Sequence, residues 1–320
     1  MNPIFDHQRL LYRISRDYYI NQMTQQEIAK RLGLSRIKVS RLLEQARREM
    51  IVSITLNAPL GLMADVEETL EKKFGLQEVL IVHCENSAQA AGLEVELAPA
   101  AAECLLRRIT GEETISVAMG RTMVAVVNAL PPRSLPGVSI VQMNGGLGYI
   151  VPFEQSTELA RQMAARLAAS HHLLHAPGIA ADKQAADLFK KDPLISSTLN
   201  IAAHADIAIL SIGSMVPQEK IAQGHSPLTE NDYNDLVSLH AVGDIALRYI
   251  NADGHPLHTS LDERIIGLSF AELMAIPCVI AVAGGEEKHQ VILAGLKSGI
   301  PNVLVTDQNT AEFLLNAGGE

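Results

Sequence analysis

Tryptophan is absent from this chain of 320 residues, and aromatic residues together make up only 4% of it. So thin an aromatic complement argues against recognition of single-stranded nucleic acid, which relies on rings for bases to stack on. Cysteine is scarce as well. Cys84, Cys104 and Cys278 lie far apart with no C-x-x-C pair, which argues against disulfides and structural zinc and fits a reducing cytoplasm. No apolar run reaches the roughly 18–20 residues that cross a bilayer, so no membrane partner is expected. The N-terminal stretch is charged from Asp6 onward and lacks the apolar core of a secretory signal. Internal repeats and low-complexity segments are also missing.

What remains is an ordinary globular composition, 48% hydrophobic and 19% charged. The length exceeds what one core usually holds, so two unequal domains are expected, 1–58 and 59–320. The net charge of −10 looks wrong for a nucleic-acid binder until it is divided. Residues 1–58 carry 10 Lys+Arg against 5 Asp+Glu, leaving 16 against 31 for the rest. A basic head on an acidic body is the charge pattern of a DNA-binding domain whose partner domain stays off the DNA.

The head has the grammar of a helix-turn-helix. Leu10, Leu11, Ile14, Tyr18 and Ile20 recur at near-helical spacing over His7–Met23. Thr24 and Glu27 form a capping-box pair, so a helix is predicted over Gln25–Leu32, ended by Gly33. Ser35 is the next N-cap and opens a helix to about Glu49. Ala29 suits a helix crossing, and Ile28, Leu32, Leu34, Val39 and Leu42 are apolar anchors. Ser35, Arg36, Lys38, Ser40 and Arg41 fall on the outer face, where a major groove would be read. Gln25 and Val39 complete the candidate DNA contacts. Ile51–Leu56 reads as a short strand, half of a wing, and Pro59-Leu60-Gly61 marks a boundary. Behind it Leu62, Val66, Leu70 and Phe74 make an apolar stripe that either packs on its own domain or pairs with another copy.

Past residue 75 the pattern changes. Short continuous apolar runs (Val79–Val82, Ile115–Ala118, Val138–Gln142, Ile207–Ile212, Cys278–Ala283, Val303–Val305) alternate with helix-like stretches at Ser156–Ala169, Leu228–Ser238 and Lys288–Lys297. This predicts an α/β domain with a mostly parallel sheet covered on both faces. Glycines follow several of these strands: Gly120-Arg121-Thr122, Asn144-Gly145-Gly146, Gly213-Ser214 and Gly284-Gly285. Ligands of open α/β sheets sit at the carboxyl ends of strands, where glycine permits close approach to backbone N–H groups. Arg121 and Lys288 each lie at a helix start just after such a glycine, and two cations there suit an anion. The spacing matches neither a dinucleotide fingerprint nor a Walker A loop.

Other clusters point less far. His171 and His175 would share a strand face while His172 points away, and no third metal ligand accompanies them, so no metal is expected. Asp182, Asp187 and Asp192 are spaced like a solvated helix face. His83-Cys84-Glu85 is too compact in sequence for a nucleophile and its base. Tyr18 and Tyr19 suit a core or dimer contact better than base stacking.

The segment MTQQEIAKRLGLSRIKVSRLLEQARREMIVSITL resembles the N-terminal signature of the SorC family of sugar-responsive regulators. Further matches are GRT at 120–122, the NGG stretch, AVGDI at 241–245, VAGGEEK at 282–288 and LVTDQNTAEFLL at 304–315. The resemblance implies a winged helix-turn-helix in which Arg36, Lys38 and Arg41 contact the operator. It also implies an effector domain similar in fold to ribose-5-phosphate isomerase, glucosamine-phosphate deaminase and CoA-transferase-like proteins, with Gly243 and Asp244 at the pocket. His240 stands where the motif leads one to expect glycine, and an imidazole there would narrow the pocket or read an extra oxygen.

The expectation is therefore a cytoplasmic transcription regulator and not an enzyme, working as a dimer or tetramer on double-stranded operator DNA. Its effector is a sugar, more specifically a phosphorylated one, and no cofactor is needed. The contending class is a sugar-phosphate isomerase or deaminase with an added head, for which Asp244 and His240 are candidate bases.

Overall fold

Local side-chain chemistry sets the helices of the head. The Thr24 hydroxyl accepts the Glu27 N–H at 3.3 Å while the Glu27 carboxylate accepts the Thr24 N–H at 2.8 Å. With this capping box, α2 (Gln25–Leu32) follows α1 (Pro3–Ser15) and a π-helical turn (Arg16–Ile20). Gly33, at φ +66°, ends α2, and Ser35 caps α3 (Arg36–Arg48) by accepting the Lys38 N–H at 3.2 Å. Ile28 and Ala29 of α2 and Val39, Leu42, Leu43 and Ala46 of α3 bury against Leu11 and Ile14. Each fully buried Leu, Ile or Val is worth about 1.5–3 kcal/mol, so this small cluster is the main source of the head's cohesion.

This computed structural model describes residues 3–54, 63–84, 92–146, 156–223 and 226–317, and the chain divides into Met1–Leu60 and Gly61–Glu320. The strand expected from Ile51 does not form over Ile51–Ile54, and residues 55 and 56 lie outside the described residues. The N–H groups of Ile51 and Val52 both bond to the Ala46 carbonyl, at 2.9 and 3.2 Å, after a left-handed Met50. The two side chains pack on the helical core, so their β-branched character serves a helix terminus instead of a wing.

In the second unit α4 (Ala64–Phe74) leads to β1 (Glu78–Val82), α5 (Leu93–Leu106), β2 (Thr114–Val117), α6 (Arg121–Ala129) and β3 (Ser139–Gln142). Next come α7 (Ser156–Leu167), β4 (Ser170–His172), α8 (Lys183–Lys191), α9 (Pro193–Ala203), β5 (Ile207–Leu210) and β6 (Ile212–Ser214). They are followed by α10 (Gln218–Ala222), α11 (Glu230–Ser238), β7 (Ala241–Ile245), β8 (Arg248–Asn251), α12 (Ser260–Arg264) and α13 (Phe270–Ala275). The chain closes with β9 (Cys278–Val282), a 3-10 turn at Glu286–Lys288, α14 (His289–Lys297), β10 (Val303–Asp307) and α15 (Gln308–Asn316).

Seven parallel strands form the main sheet in the order β1-β10-β9-β5-β2-β3-β4, and β6-β7-β8 form a small antiparallel sheet. All four residues of β5 are buried, which explains its unbroken apolar run. That run was expected to continue to Ile212, but it breaks at Ser211, and Ile212 starts β6 in the other sheet. One face of the main sheet packs on α5, α6 and α7, the other on α4, α13, α14 and α15. Val66, Leu70 and Phe74 belong to the second of these cores, which settles the α4 stripe as packing within its own domain, while Leu62 and Pro59-Leu60-Gly61 lie outside the described residues. From β2 the chain winds outward through β3 and β4, whereas from β5 it winds the other way through β9 and β10. The winding therefore reverses between β2 and β5, and the carboxyl ends of strands at such a reversal open into a crevice.

Candidate functional site

The crevice is there. Its walls are the first residues after β2 (Arg121, Thr122), the join after β5 (Ser211, Gly213) and the loop after β9 (Gly284, Glu287, Lys288), with Glu94 from the first turn of α5. The cleft holds about 110 Å³. A roomier groove of about 530 Å³ beside α8 and α9 is lined mainly by leucine, isoleucine, phenylalanine and alanine. Size alone would favour that groove, but the convergent charges are in the smaller one.

Arg121 and Lys288 meet in this cleft although 167 positions separate them in sequence. Burial pulls the Lys288 ammonium below the ordinary lysine range and Arg121 adds to this, while Glu287, Asp244 and Glu94 oppose it. The leading N–H groups of α6 have no partner inside the helix and carry its positive dipole end. Gly120, at φ +140°, begins that turn, and a Cβ there would stand 3.3 Å from the Ser211 hydroxyl. Two cations, a helix start and two carboxylates thus face one small space, a setting suited to a polar ligand.

Asp244 lies on β7 in register with Gly213 on β6, and its carboxylate fills the position where a Gly213 side chain would be. It is not itself a wall of the cleft. Burial raises its pKa to about 6, against a hydrogen bond from the Leu247 N–H at 2.8 Å and the charge of Lys288. Gly243, at φ +155°, lets β7 approach β6, since a Cβ there would come within 2.0 Å of the Gly213 carbonyl oxygen.

Several expected site residues do other work. Gly145 and Gly146 donate their N–H groups to Ile266 and Ala176 carbonyls, at 2.9 and 3.0 Å, and do not line the cleft. The Gly285 N–H is spent on Asp307 and Thr310, at 2.9 and 3.1 Å. His240 is exposed in the turn before β7 and has φ +55°, so the glycine expected there answers to a left-handed backbone, and the imidazole neither narrows the cleft nor reads it. Glu94 and Glu287 were missed. Glu94 comes from a distant helix and no local signal marks it, whereas Glu287 sits inside the VAGGEEK segment beside the lysine that drew attention.

The remaining clusters resolve simply. β4 ends at His172, so His175 has no strand face to share with His171. Asp182 and Asp192 are N-caps of α8 and α9, not a helix face, accepting from Ala185 N–H at 2.8 Å and Leu194 N–H at 2.9 Å. Burial pushes the Cys84 thiol up to about 12, far from a nucleophile, and Glu85 lies outside the described residues. Tyr18 and Tyr19 stack edge-on, and Tyr19 packs against the head's core.

In the head, Ser35, Arg36, Lys38, Ser40 and Arg41 are exposed along α3 and Gln25 is half-buried. Val39 is fully buried in the helical core and cannot reach a base, because it occupies the inward stripe with Leu42, Leu43 and Ala46. Ile37, 67% exposed in the first turn of α3, stands among the basic residues instead. Its signal was an apolar residue lying off the core stripe.

A basic helix-turn-helix joined to a parallel sheet with a polar cleft at its switch point defines a ligand-responsive, DNA-binding regulator. Comparison with known proteins agrees. A sugar-binding domain family model matches residues 58–316, and the model of sigma-70 region 4 matches residues 13–50. The transcriptional regulator LsrR of Escherichia coli is 30% identical, over 95% of this chain and 94% of that protein. The deoxyribonucleoside regulator of Bacillus subtilis is 29% identical over 97% and 98%. The crystal structure of the full-length sorbitol operon regulator SorC of Klebsiella pneumoniae superposes with a TM-score of 0.74 at 29% identity, covering 97% of this chain and 99% of that one. The chain belongs to the SorC family of transcriptional regulators.

Proposed function

We propose that this regulator binds a pseudo-palindromic operator as a dimer or tetramer and that a phosphorylated sugar alters its affinity for that operator. The observation that carries the effector class is the meeting of Arg121 and Lys288 beside the N-terminus of α6. The phosphate belongs at that end, and the sugar hydroxyls belong with Glu94 and Glu287, with Asp244 behind Gly213. Neither base that an isomerase would draw on reaches the ligand: Asp244 stands behind Gly213 and accepts the Leu247 N–H, and His240 is out at the surface. A regulator that works on operator DNA belongs in the cytoplasm.

Arg36, Lys38 and Arg41 enter the major groove, with Ser35, Ser40 and Gln25 near phosphates. One helix-turn-helix covers too little DNA for useful specificity, hence more than one copy. Calorimetry with matched pairs, each sugar against its phosphate, tests the effector. The phosphate is expected to bind at least about tenfold tighter, a difference of 1.4 kcal/mol, and Lys288→Ala to abolish that preference. Equal affinity for the free sugar, or phosphate affinity untouched by Lys288→Ala, overturns the phosphate reading.

A further inference from the structure

Ile37 takes no part in the core of the head and is 67% exposed in the first turn of α3. Arginine, lysine, serine and glutamate make up the rest of the described exposed face of that helix, so Ile37 is its one apolar side chain. A lone exposed isoleucine on an ordinary surface needs no explanation. This one occupies the position farthest from the core. At about 100° of turn per residue it stands roughly 170° round the helix from the mean line of Val39, Leu42, Leu43 and Ala46. Arg41 stands about 150° from the same line, while Arg36 and Lys38 stand about 70° and 90° from it, one on each side. On a helix laid in a groove, the residues farthest from the core face the base edges, and those on the flanks lie nearer the phosphates. Ile37 and Arg41 therefore point most directly at the groove floor.

We propose that Ile37 reads the C5-methyl group of a thymine and is a specificity-determining residue for the operator. The proposal rests on α3 being the helix that enters the major groove. The thymine methyl is the one apolar group that a base edge offers there. A G·C pair in the same place would set polar atoms against a side chain that can neither donate nor accept, leaving them desolvated and unpartnered. Branching at Cβ holds the first torsion of isoleucine to one dominant rotamer in a helix, so little freedom is lost on contact. Ile37 and Arg41 are one turn apart, which puts about 5–6 Å between their Cβ atoms. Base pairs are about 3.4 Å apart, so the thymine should lie within about two base pairs of a guanine read by Arg41. The contact is blind to what carries the methyl, because 5-methylcytosine presents the same group at the same place.

Selection of duplexes from a randomised library by the full chain yields the motif, and base replacement within it tests the contact. Uracil keeps every hydrogen-bonding group of thymine and lacks the methyl. Replacing that thymine by uracil is expected to weaken wild-type binding about fourfold for each half-site changed, the effect of one methyl-sized group, and to leave Ile37→Ala binding unaltered. A C·G pair at the position should bind better when the cytosine carries a C5-methyl, again in wild type alone. Ile37→Ala should also select duplexes with no base preference there. The variant is expected to fold, since the side chain is exposed and alanine is the stronger helix former, and the uracil comparison in wild type needs no variant. A selected motif without thymine, equal binding of uracil and thymine duplexes by wild type, or a difference that persists in Ile37→Ala overturns the methyl contact. If Arg36→Ala with Arg41→Ala still loses affinity for the selected duplex, that failure leaves α3 standing as the groove helix. If those arginine variants bind as wild type does, both readings fall.

Discussion

Asp307 accepts the backbone N–H of Gly285 through Oδ2 at 2.9 Å, and the same oxygen lies 2.3 Å from where a Cβ on Gly284 would stand. Its other oxygen caps α15, taking the N–H groups of Asn309 and Thr310, both at 3.0 Å. One buried carboxylate therefore ties the loop that carries Lys288 to the start of the last helix. Asp307→Ala is expected to cost about 2–4 kcal/mol in urea unfolding, from a lost cap and stranded donors, and to weaken effector binding. Asp307→Asn keeps an acceptor and should recover most of the stability. Gly284→Ala should disturb the same loop from the other side.

Much of the head could be read from its sequence because its signals are local: Thr24, Glu27, Gly33 and Ser35 act on backbone two to four positions away. Val39 is the anchor its spacing indicated but not the DNA contact also expected of it, because burial differs completely over a single step between the inward stripe of α3 and its outer face. In the sensor, β1, β2, β3, β5, β9 and β10 were legible as apolar runs, but β4 and the small sheet were not. Nor was α5, since Leu93–Leu106 is apolar nearly all round and has no face for periodicity to reveal. Glycine after a strand announces that something comes close without saying what. At Gly213 it is the Asp244 carboxylate, at Gly145 the Pro177 carbonyl.

The raised pKa of Asp244 makes a signed prediction. A carboxyl that titrates near 6 when folded and near its ordinary value, about 4, when unfolded stabilises the fold while protonated. That contribution is complete below about pH 4 and is lost as the pH rises through about 6. Asp244→Asn keeps an acceptor for the Leu247 N–H, so its melting temperature should exceed that of wild type at pH 7.5 and approach it near pH 4. A stability gain that is the same at both pH values would contradict the assignment.

On the DNA side, Arg36→Ala and Arg41→Ala should each cost about 1–3 kcal/mol of operator affinity where the arginine reads a base, and relax specificity at one position. Where it meets only phosphate, every sequence weakens alike and the salt dependence flattens. Ile37→Ala provides the contrast. Its exposed side chain suits a thymine methyl, so affinity should fall with the salt slope unchanged, as gel shifts across a salt series would report.

Asp17 is nearly buried, and Arg31 meets it at 3.3 Å from the far end of α2. Arg31→Ala leaves that carboxylate with the amide of Asn21, at 3.1 Å, and no cation. Amide exchange in α1 and α2 should then quicken by an amount corresponding to about 1–3 kcal/mol, and Arg31→Lys should recover only part, lacking the planar fork.

A single residue, Ser211, separates the central strand β5 from β6, so the floor of the cleft is also the joint between two sheets. From that joint the backbone runs directly into β6, whose pairing of Ile212 with Ile245 and Ser214 with Gly243 ties in β7 as well. The cleft and the second lamina are thus joined through main chain alone. A joint made of backbone does not depend on which side chains line the cleft, so the lining can vary while the connection between the sheets is kept.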